Sequence, residues 1–398
     1  MASKQDSITK SVKSNDQLSS KHYYALLISI FALLFIGIVM ILSASTTVSY
    51  KQFDNQYVIF LRQLMFAAIG VVIMLFISRL PKVFFLKWAH IGLWISLILL
   101  VLVLIPGIGI SVAGQRNWIS LWGPFRLQPS EIAKLTFIIW GSVVLSRQIK
   151  TRITTWQNLL VPVFPVGILI AVLVVMEGDL GTTLIIGPIV LALFYAAGAP
   201  LKMFSWAILA GLIGIFVLSI REGYRVQRFV SWLNPTAENQ DAGWQVLHGK
   251  YALATGGWTG IGLGASREKW GWLPAAHTDF IFAVVGEELG LVGTVIVLVL
   301  IGTIGYVALT LARKTNDFFT RLIATSVMAW IVVQSFINIG AVLALLPVTG
   351  VPLPLVSYGG SSLIFTLAAL GVLLAVLRAE PSVKNELKSQ KKLKRIKI

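Results

Sequence analysis

Apolar residues gather into ten segments of this chain, at about 23–46, 57–78, 84–105, 129–147, 159–176, 181–198, 203–220, 285–312, 322–346 and 361–378. They repeatedly reach the ~20 residues that a helix needs to cross the hydrocarbon core of a bilayer. The fifth and sixth are separated only by Glu177-Gly-Asp-Leu180, which predicts a tight helical hairpin. The first run, Tyr23 to Leu42, is too long for a signal-peptide core and reads as an uncleaved first span. No period of 20–50 residues repeats along the chain. The pattern predicts an all-α polytopic membrane protein with ten transmembrane helices. It has an N-terminal tail at 1–22, a membrane domain over 23–380 and a basic C-terminal tail at 381–398. A large loop at about 221–284 lies between the seventh and eighth helices.

Composition agrees. The chain is 57% hydrophobic and 12% charged, with a mean hydropathy of +0.83. A soluble core of this length could not hide so much apolar surface. The net charge of +17 is concentrated at the ends. Lys4, Lys10, Lys13 and Lys21 lie in the first tail. Arg378, Lys384, Lys388, Lys391, Lys392, Lys394, Arg395 and Lys397 mark the second, with no interleaved aromatics. Such tails read as topology signals and contacts for anionic membrane lipids, and not as a nucleic-acid site. The absence of cysteine excludes disulfides and thiolate chemistry. His22, His90, His248 and His277 show no metal-ligand spacing.

Placing both termini in the cytoplasm collects Arg79, Lys82, Lys87, Arg147, Lys150, Arg152, Lys202, Arg313, Lys314 and Arg321 in inside loops. Most acids then fall outside, which satisfies the positive-inside rule. The 221–284 loop is extracytoplasmic in this arrangement. It holds Trp232, Trp244, Trp258, Trp270 and Trp272 and a Gly-rich run at 256–264, as suits re-entrant or interfacial pieces.

Asp279 stands at the membrane-proximal end of that loop, between a polar His277-Thr278 pair and an apolar run. A carboxylate there loses hydration on one side, a costly position that marks a functional candidate. The competing reading is an N-cap to the following helix. Four other segments carry polar groups to the same edge. Gly114-Gln-Arg116-Asn-Trp leads to Leu127-Gln-Pro-Ser-Glu131-Ile-Ala-Lys134, where Pro129 starts a helix and Glu131 and Lys134 share a face. That pair reads either as a local ion pair or as part of a polar cavity. Glu177 and Asp179 read either as solvated turn acids or as site residues. Arg221, Arg225 and Arg228 lie outside against the topology bias and suit phosphate or carboxylate; headgroup contact is the alternative. Finally, Leu346-Pro-Val-Thr-Gly-Val-Pro-Leu-Pro … Ser357-Tyr-Gly359-Gly360-Ser361-Ser362 forbids a regular helix and exposes amides and hydroxyls suited to an anionic or sugar ligand.

Together these pieces resemble the SEDS family (shape, elongation, division and sporulation). They are Leu127–Lys134, Gly178-Asp-Leu-Gly-Thr182, Leu273-Pro-Ala-Ala-His-Thr-Asp-Phe-Ile-Phe-Ala283, Gly286-Glu-Glu-Leu-Gly290 and Leu346–Ser362. Lys269-Trp270 and Gly286-Glu-Glu look like its FtsW division branch. Ala-Ala before His277, Trp258-Thr and Leu355-Val depart from the usual pattern without touching the acid. The resemblance implies a peptidoglycan glycosyltransferase that polymerises lipid II at the outer face of the bacterial cytoplasmic membrane, during septal wall synthesis. It implies a class B penicillin-binding protein and other divisome proteins as partners. The family's essential loop acid aligns with Asp279, and its fourth-span Glu and Lys with Glu131 and Lys134.

The reaction so implied needs one base on an acceptor hydroxyl and charge neutralisation on a departing diphosphate. Asp279 is the expected base. Substrate binding is expected from Glu131, Lys134, Arg116, Arg225, Arg228, Lys269, His277, Thr278, Ser357, Gly359, Gly360 and Ser361, with Arg221 and Arg267 as further cations. Mg²⁺ or Mn²⁺ is a candidate cofactor. A lipid II flippase and a noncatalytic scaffold are the alternatives.

Overall fold

The computed structural model describes residues 18–112, 114–122, 125–150, 156–220, 232 and 242–396. Its helices, in chain order, are α1 (Ser20–Phe53), α2 (Val58–Ile77), α3 (Lys82–Leu104), α4 (Pro129–Lys150), α5 (Trp156–Met176), α6 (Leu180–Ala196), α7 (Leu201–Ile220), α8 (Ala242–Gly256), α9 (Ile281–Lys314), α10 (Phe318–Val342), α11 (Gly360–Ala379) and α12 (Pro381–Ile396). All ten apolar segments fall on helices, and α8 and α12 are additional. Among the described residues, α1, α2, α3, α9, α10 and α11 are long and apolar enough to cross a bilayer. Shorter apolar helical stretches cover Val161–Met176, Leu180–Ala196 and Leu201–Gly211.

The bundle is built round α10 and α11, whose apolar faces are the most enclosed. α11 packs on α2, α10 on α9 and α6, and α4 on α3. Close approach depends on small residues, because helices in lipid gain little from hydrophobicity and associate by packing. A Cβ on Gly37 of α1 would stand 2.6 Å from the Leu355 carbonyl oxygen, so α1 can lie against the 355–356 backbone only as glycine.

One feature corrects the all-α expectation. Three strands, β1 (Gly109–Val112), β2 (Gln115–Trp122) and β3 (Phe125–Leu127), form an antiparallel sheet in that order. Polar and apolar residues mix along Gln115-Arg-Asn-Trp-Ile-Ser-Leu-Trp122, with a glycine on either side in the sequence. That is a strand-and-hairpin signal that a search for long apolar runs passes over. The sheet caps the same end of the bundle as the α5–α6 turn, since the Arg116 amide donates to the Glu177 carbonyl (3.0 Å).

The opposite end brings the start of α1 against α12. The C-terminal tail is a helix docked on α1: the Ser20 amide donates to Glu386 (2.6 Å) and Gln390 Nε2 to the Ser20 hydroxyl (3.0 Å). Lys82 pairs with Asp317 across the α2–α3 and α9–α10 turns.

Helix α9 has 34 residues and would run about 51 Å if straight, well beyond a bilayer core. It breaks at Gly290, whose φ of 67° and ψ of −163° only glycine adopts without strain. The Gly-rich loop before it is strapped to the break. Ile261 and Gly262 amides donate to the Glu287 and Glu288 carbonyls, and Leu291 and Val292 amides to the Gly257 and Trp258 carbonyls. A β-carbon at Gly290 would meet Gly260 N at 2.3 Å. Gly290→Ala is therefore expected to cost about 2 kcal/mol or more, combining strain and overpacking. Thermal unfolding in detergent would read this as a lower midpoint; an unchanged midpoint would show that the strap yields freely.

Candidate active site

Asp279 lies at the end of a series of turns before α9 and is partly buried. Ala275 takes the left-handed conformation (φ 56°). Its carbonyl accepts the Thr278 amide (3.0 Å), the Phe280 amide (3.2 Å) and the Thr278 hydroxyl (3.2 Å). The turn is thus knotted on one oxygen. The N-cap of α9 is Phe280, with no side-chain cap bond. The structure therefore does not give Asp279 the helix-capping position that local spacing allowed.

The 343–359 segment supplies the facing wall. Three consecutive carbonyls under the acid are each held from across the gap. Tyr358 N donates to the His277 carbonyl (3.0 Å), Ser357 Oγ to the Thr278 carbonyl (2.7 Å) and Asn338 Nδ2 to the Asp279 carbonyl (2.8 Å). Ser357 Oγ also accepts the Leu353 amide (2.8 Å), closing its own turn beside the left-handed Leu355 (φ 66°). Gln63 of α2 braces this wall, donating to the Ser357 carbonyl and accepting the Gly359 amide, both at 3.3 Å. Non-glycine residues at positive φ, as at Ala275 and Leu355, persist only where surroundings over-determine them, and they cluster at functional sites.

His277 is enclosed, its ring 5.7 Å from that of Tyr358 and its Nδ1 without a hydrogen-bond partner. Burial lowers its pKa from 6.5 to about 4, so the imidazole is neutral at physiological pH. Burial raises the Tyr358 pKa, opposed by the charges of Arg62 and Arg126. Those two arginines therefore stand near the site, and the residue-by-residue reading did not name them. The signal was available: in the ten-span reading of the sequence both fall in outside segments, which the topology bias leaves poor in cations.

Glu131 and Lys134, expected at the substrate, are 3% and 1% exposed. Lys134 Nζ donates to Glu131 Oε1 (2.9 Å) and lies 4.5 Å above the Trp330 ring. It is also 3.5 Å from Gln334 Oε1. The pair is an internal brace within α4 and α10. Ser361 is likewise structural in its contacts: it donates to the Arg126 carbonyl (2.7 Å) and accepts the Gln128 amide (3.2 Å). Gly360 opens α11 flush against Phe66.

Lys269 is not a free cation. Its ammonium donates to the Gly264 carbonyl (2.6 Å), Ser43 Oγ (2.8 Å) and Glu288 Oε1 (3.3 Å). Arg116 reaches the Leu104 carbonyl (3.4 Å) on the hairpin sheet, and Arg267 is exposed. Arg221, Arg225 and Arg228 lie outside the described residues. Among the described residues no three His, Cys, Asp or Glu side chains gather as metal ligands.

The turn acids at 177–179 are buried, contrary to a solvated hairpin. Asp179 caps α6 through the Thr182 amide (2.8 Å) and hydroxyl (2.7 Å) and accepts Gln128 Nε2 (2.9 Å). Both Glu177 oxygens are buried without a partner. Burial, with the Asp179 charge adding to it, raises the Glu177 pKa from 4.5 to about 9.

A polytopic bundle closed at one end by a clamped, acid-bearing loop defines the class of protein. The "Cell cycle protein" family model shared by FtsW, RodA and SpoVE matches residues 24–381, and the chain belongs to that family. It is 40% identical over 359 residues to the probable peptidoglycan glycosyltransferase FtsW of Mycobacterium tuberculosis, covering 90% of this chain and 68% of that one. It is 39% identical over 354 residues to the stage V sporulation protein E of Bacillus subtilis, covering 89% and 96%. Among solved structures, a chain of a peptidoglycan synthase complex that coordinates polymerization and crosslinking superposes with a TM-score of 0.71. It is 28% identical, with 89% and 97% of the two chains covered. The rod shape determining protein RodA of Thermus thermophilus gives 0.67 at 28% identity, covering 90% and 97%.

Two of the shifted groups, Glu177 and His277, set opposite pH limbs. Glu177, raised from 4.5 to about 9, contributes stability that is present below pH 4.5 and is lost as pH rises toward 9. His277, lowered from 6.5 to about 4, contributes stability that is present above pH 6.5 and is lost as pH falls toward 4. Unfolding midpoints across pH should decline on both sides. Glu177→Gln is expected to flatten the alkaline limb alone and His277→Gln the acid limb alone.

Proposed function

We propose that this chain polymerises lipid II into glycan strands at the outer face of the bacterial cytoplasmic membrane, as the septal polymerase of cell division. The observation that carries the reading is a carboxylate, Asp279, on a backbone held at three successive carbonyls, in a family whose relatives are named peptidoglycan glycosyltransferases. Restraint of this kind favours chemistry because a positioned base needs no reorganisation at the moment of proton transfer.

In this reading the Asp279 carboxylate takes the proton of the acceptor's 4-hydroxyl. The freed oxygen attacks the anomeric carbon of the donor. The bond from that carbon to the diphosphate oxygen breaks, and undecaprenyl diphosphate leaves with the electron pair. An α-linked donor gives a β-linked product in one inverting displacement, so no glycosyl-enzyme forms. Arg62 and Arg126, beside Tyr358, and Arg225 and Arg228 of the loop are the cations assigned to the diphosphate. No step is routed through a metal.

The ten helices α1–α7 and α9–α11 are read as ten spans, with the 221–284 loop between the seventh and eighth and extracytoplasmic. Both termini are read as cytoplasmic, in keeping with the bond between the start of α1 at Ser20 and Glu386 of α12. A class B penicillin-binding protein is the proposed partner, together with other divisome proteins. The chain has no cysteine, so single cysteines report topology cleanly. An impermeant maleimide on intact cells is expected to label Ala265→Cys and to spare Lys388→Cys; the reverse pattern would invert the arrangement.

The activity is tested with the purified chain, its penicillin-binding partner, labelled lipid II and penicillin. Long uncrosslinked glycan is expected from wild type and none from Asp279→Asn, a loss of at least ~10²-fold. Equal behaviour of the two proteins, with lipid II translocation lost in vesicles, would favour a flippase. Silence in both assays would leave a scaffold.

A further inference from the structure

We infer that Asn338 is a positioning residue for this reaction, because its single carboxamide ties the strand under Asp279 to the facing 343–359 wall. The inference rests on the polymerase reading given above. Asn338 is 2% exposed, on α10, and its Nδ2 donates at 2.8 Å both to the Asp279 carbonyl and to the Val351 carbonyl. Two carbonyl acceptors fix the amide's orientation, since only its NH₂ group can face them. The opposite atom, Oδ1, is left buried with no partner. A side chain chosen for packing or for solvation would not be held this way. This one has both donors committed to two separate loops while its acceptor goes unused.

The residue does not act alone. Trp330, Gln334 and Asn338 are spaced four apart and form one stripe along α10. Trp330 Nε1 donates to Gln334 Oε1 (2.7 Å), and Gln334 Nε2 donates to the Pro352 carbonyl (2.8 Å), next to the carbonyl that Asn338 holds. Lys134 stands over the Trp330 ring and beside Gln334 Oε1. A continuous set of contacts thus runs from the Glu131–Lys134 pair through Gln334 and the 351–352 backbone to Asn338 and the peptide of Asp279. It gives the buried pair a role that direct substrate contact does not: Lys134 orients Gln334, which steadies the wall from which Asn338 holds the acid's backbone. Among the three carbonyls of 277–279, the one belonging to the acid itself is held from a transmembrane helix. The other two are held from the loop.

The test uses the chain in complex with its penicillin-binding partner, lipid II and penicillin, with wild type and Asp279→Asn as controls. Asn338→Asp keeps the side chain's shape but replaces its two donors with an oxygen facing two carbonyls, whereas Asn338→Ala also opens a cavity. Both are expected to lower kcat about 100-fold, as a misplaced reacting group does, with KM for lipid II little changed. Gln334→Ala releases only the Pro352 carbonyl and is expected to lower kcat about ten-fold. It keeps the test open if the Asn338 variants fail to elute as folded complexes. Combining Lys134→Met with Gln334→Ala should cost no more than the larger single loss, because the two act through one set of contacts. Retention of kcat within about two-fold by folded Asn338→Asp would overturn the inference, as would a loss carried by KM alone. If Asn338→Asp and Asn338→Ala do not fold, full kcat in Gln334→Ala would overturn it. Failure of the wild type to make glycan, or activity in Asp279→Asn, would instead overturn the polymerase reading.

Discussion

A chain inside a bilayer can leave the helix only where protein groups, or the water of a cavity it lines, take up its backbone hydrogen bonds. Residues 343–359, with three prolines, leave it at the end of the most enclosed part of the bundle. Their carbonyls and amides are satisfied by a polar stripe on α10, by Gln63 of α2 and by the loop that carries Asp279. Each irregular segment is thus the other's hydrogen-bond partner. The same bonds that make the broken backbone tolerable also hold the acid's peptide in place. Stability and geometry at this site come from one set of contacts.

A second irregular region obeys the same rule. The loop before Asp279 lies on the kink of α9, and Glu287 and Glu288 are almost wholly buried beneath it. Glu287 accepts the Ser266 hydroxyl and the Arg267 amide, and Glu288 accepts Ser43 Oγ, two loop amides and Lys269. A buried carboxylate is tolerable when its lone pairs are filled in this way, and removing one partner leaves an uncompensated charge. The glutamates are the fasteners of the strap, and Lys269 is the counter-ion that closes it. Glu177 shows the contrasting outcome. With no donors offered to it, burial leaves the proton as its partner.

Several residues were legible before any fold was known, and the reasons differ. The ten helices could be read because twenty consecutive apolar side chains have few alternatives to spanning lipid. Asp279 could be singled out as a candidate because a charge at a membrane boundary is expensive wherever it points. Glu131 and Lys134 could be read as a pair from their spacing, but not as a buried brace, since burial depends on α10 lying across them. Lys269 looked like a phosphate ligand because a cation in an outside loop usually meets solvent. Its counter-ion, Glu288, is nineteen residues away, just before the kink of α9. Arg62 and Arg126 reach Tyr358 only once three separate segments have been brought together.

The order of residues along the chain is enough to show a helical membrane protein, to locate its helices and to single out Asp279 as a candidate. Those properties follow from local hydropathy, from the cost of a charge near lipid and from motifs read in order. Which polar side chains line the candidate site, and which are consumed inside the bundle, depends on how the helices and loops pack. The same packing decided that the backbone of 277–279 is held from two directions. The physical reason is that a hydrogen bond between Asn338 and Asp279, or between Lys269 and Ser43, joins positions far apart along the chain. Neither residue carries any local mark of its partner.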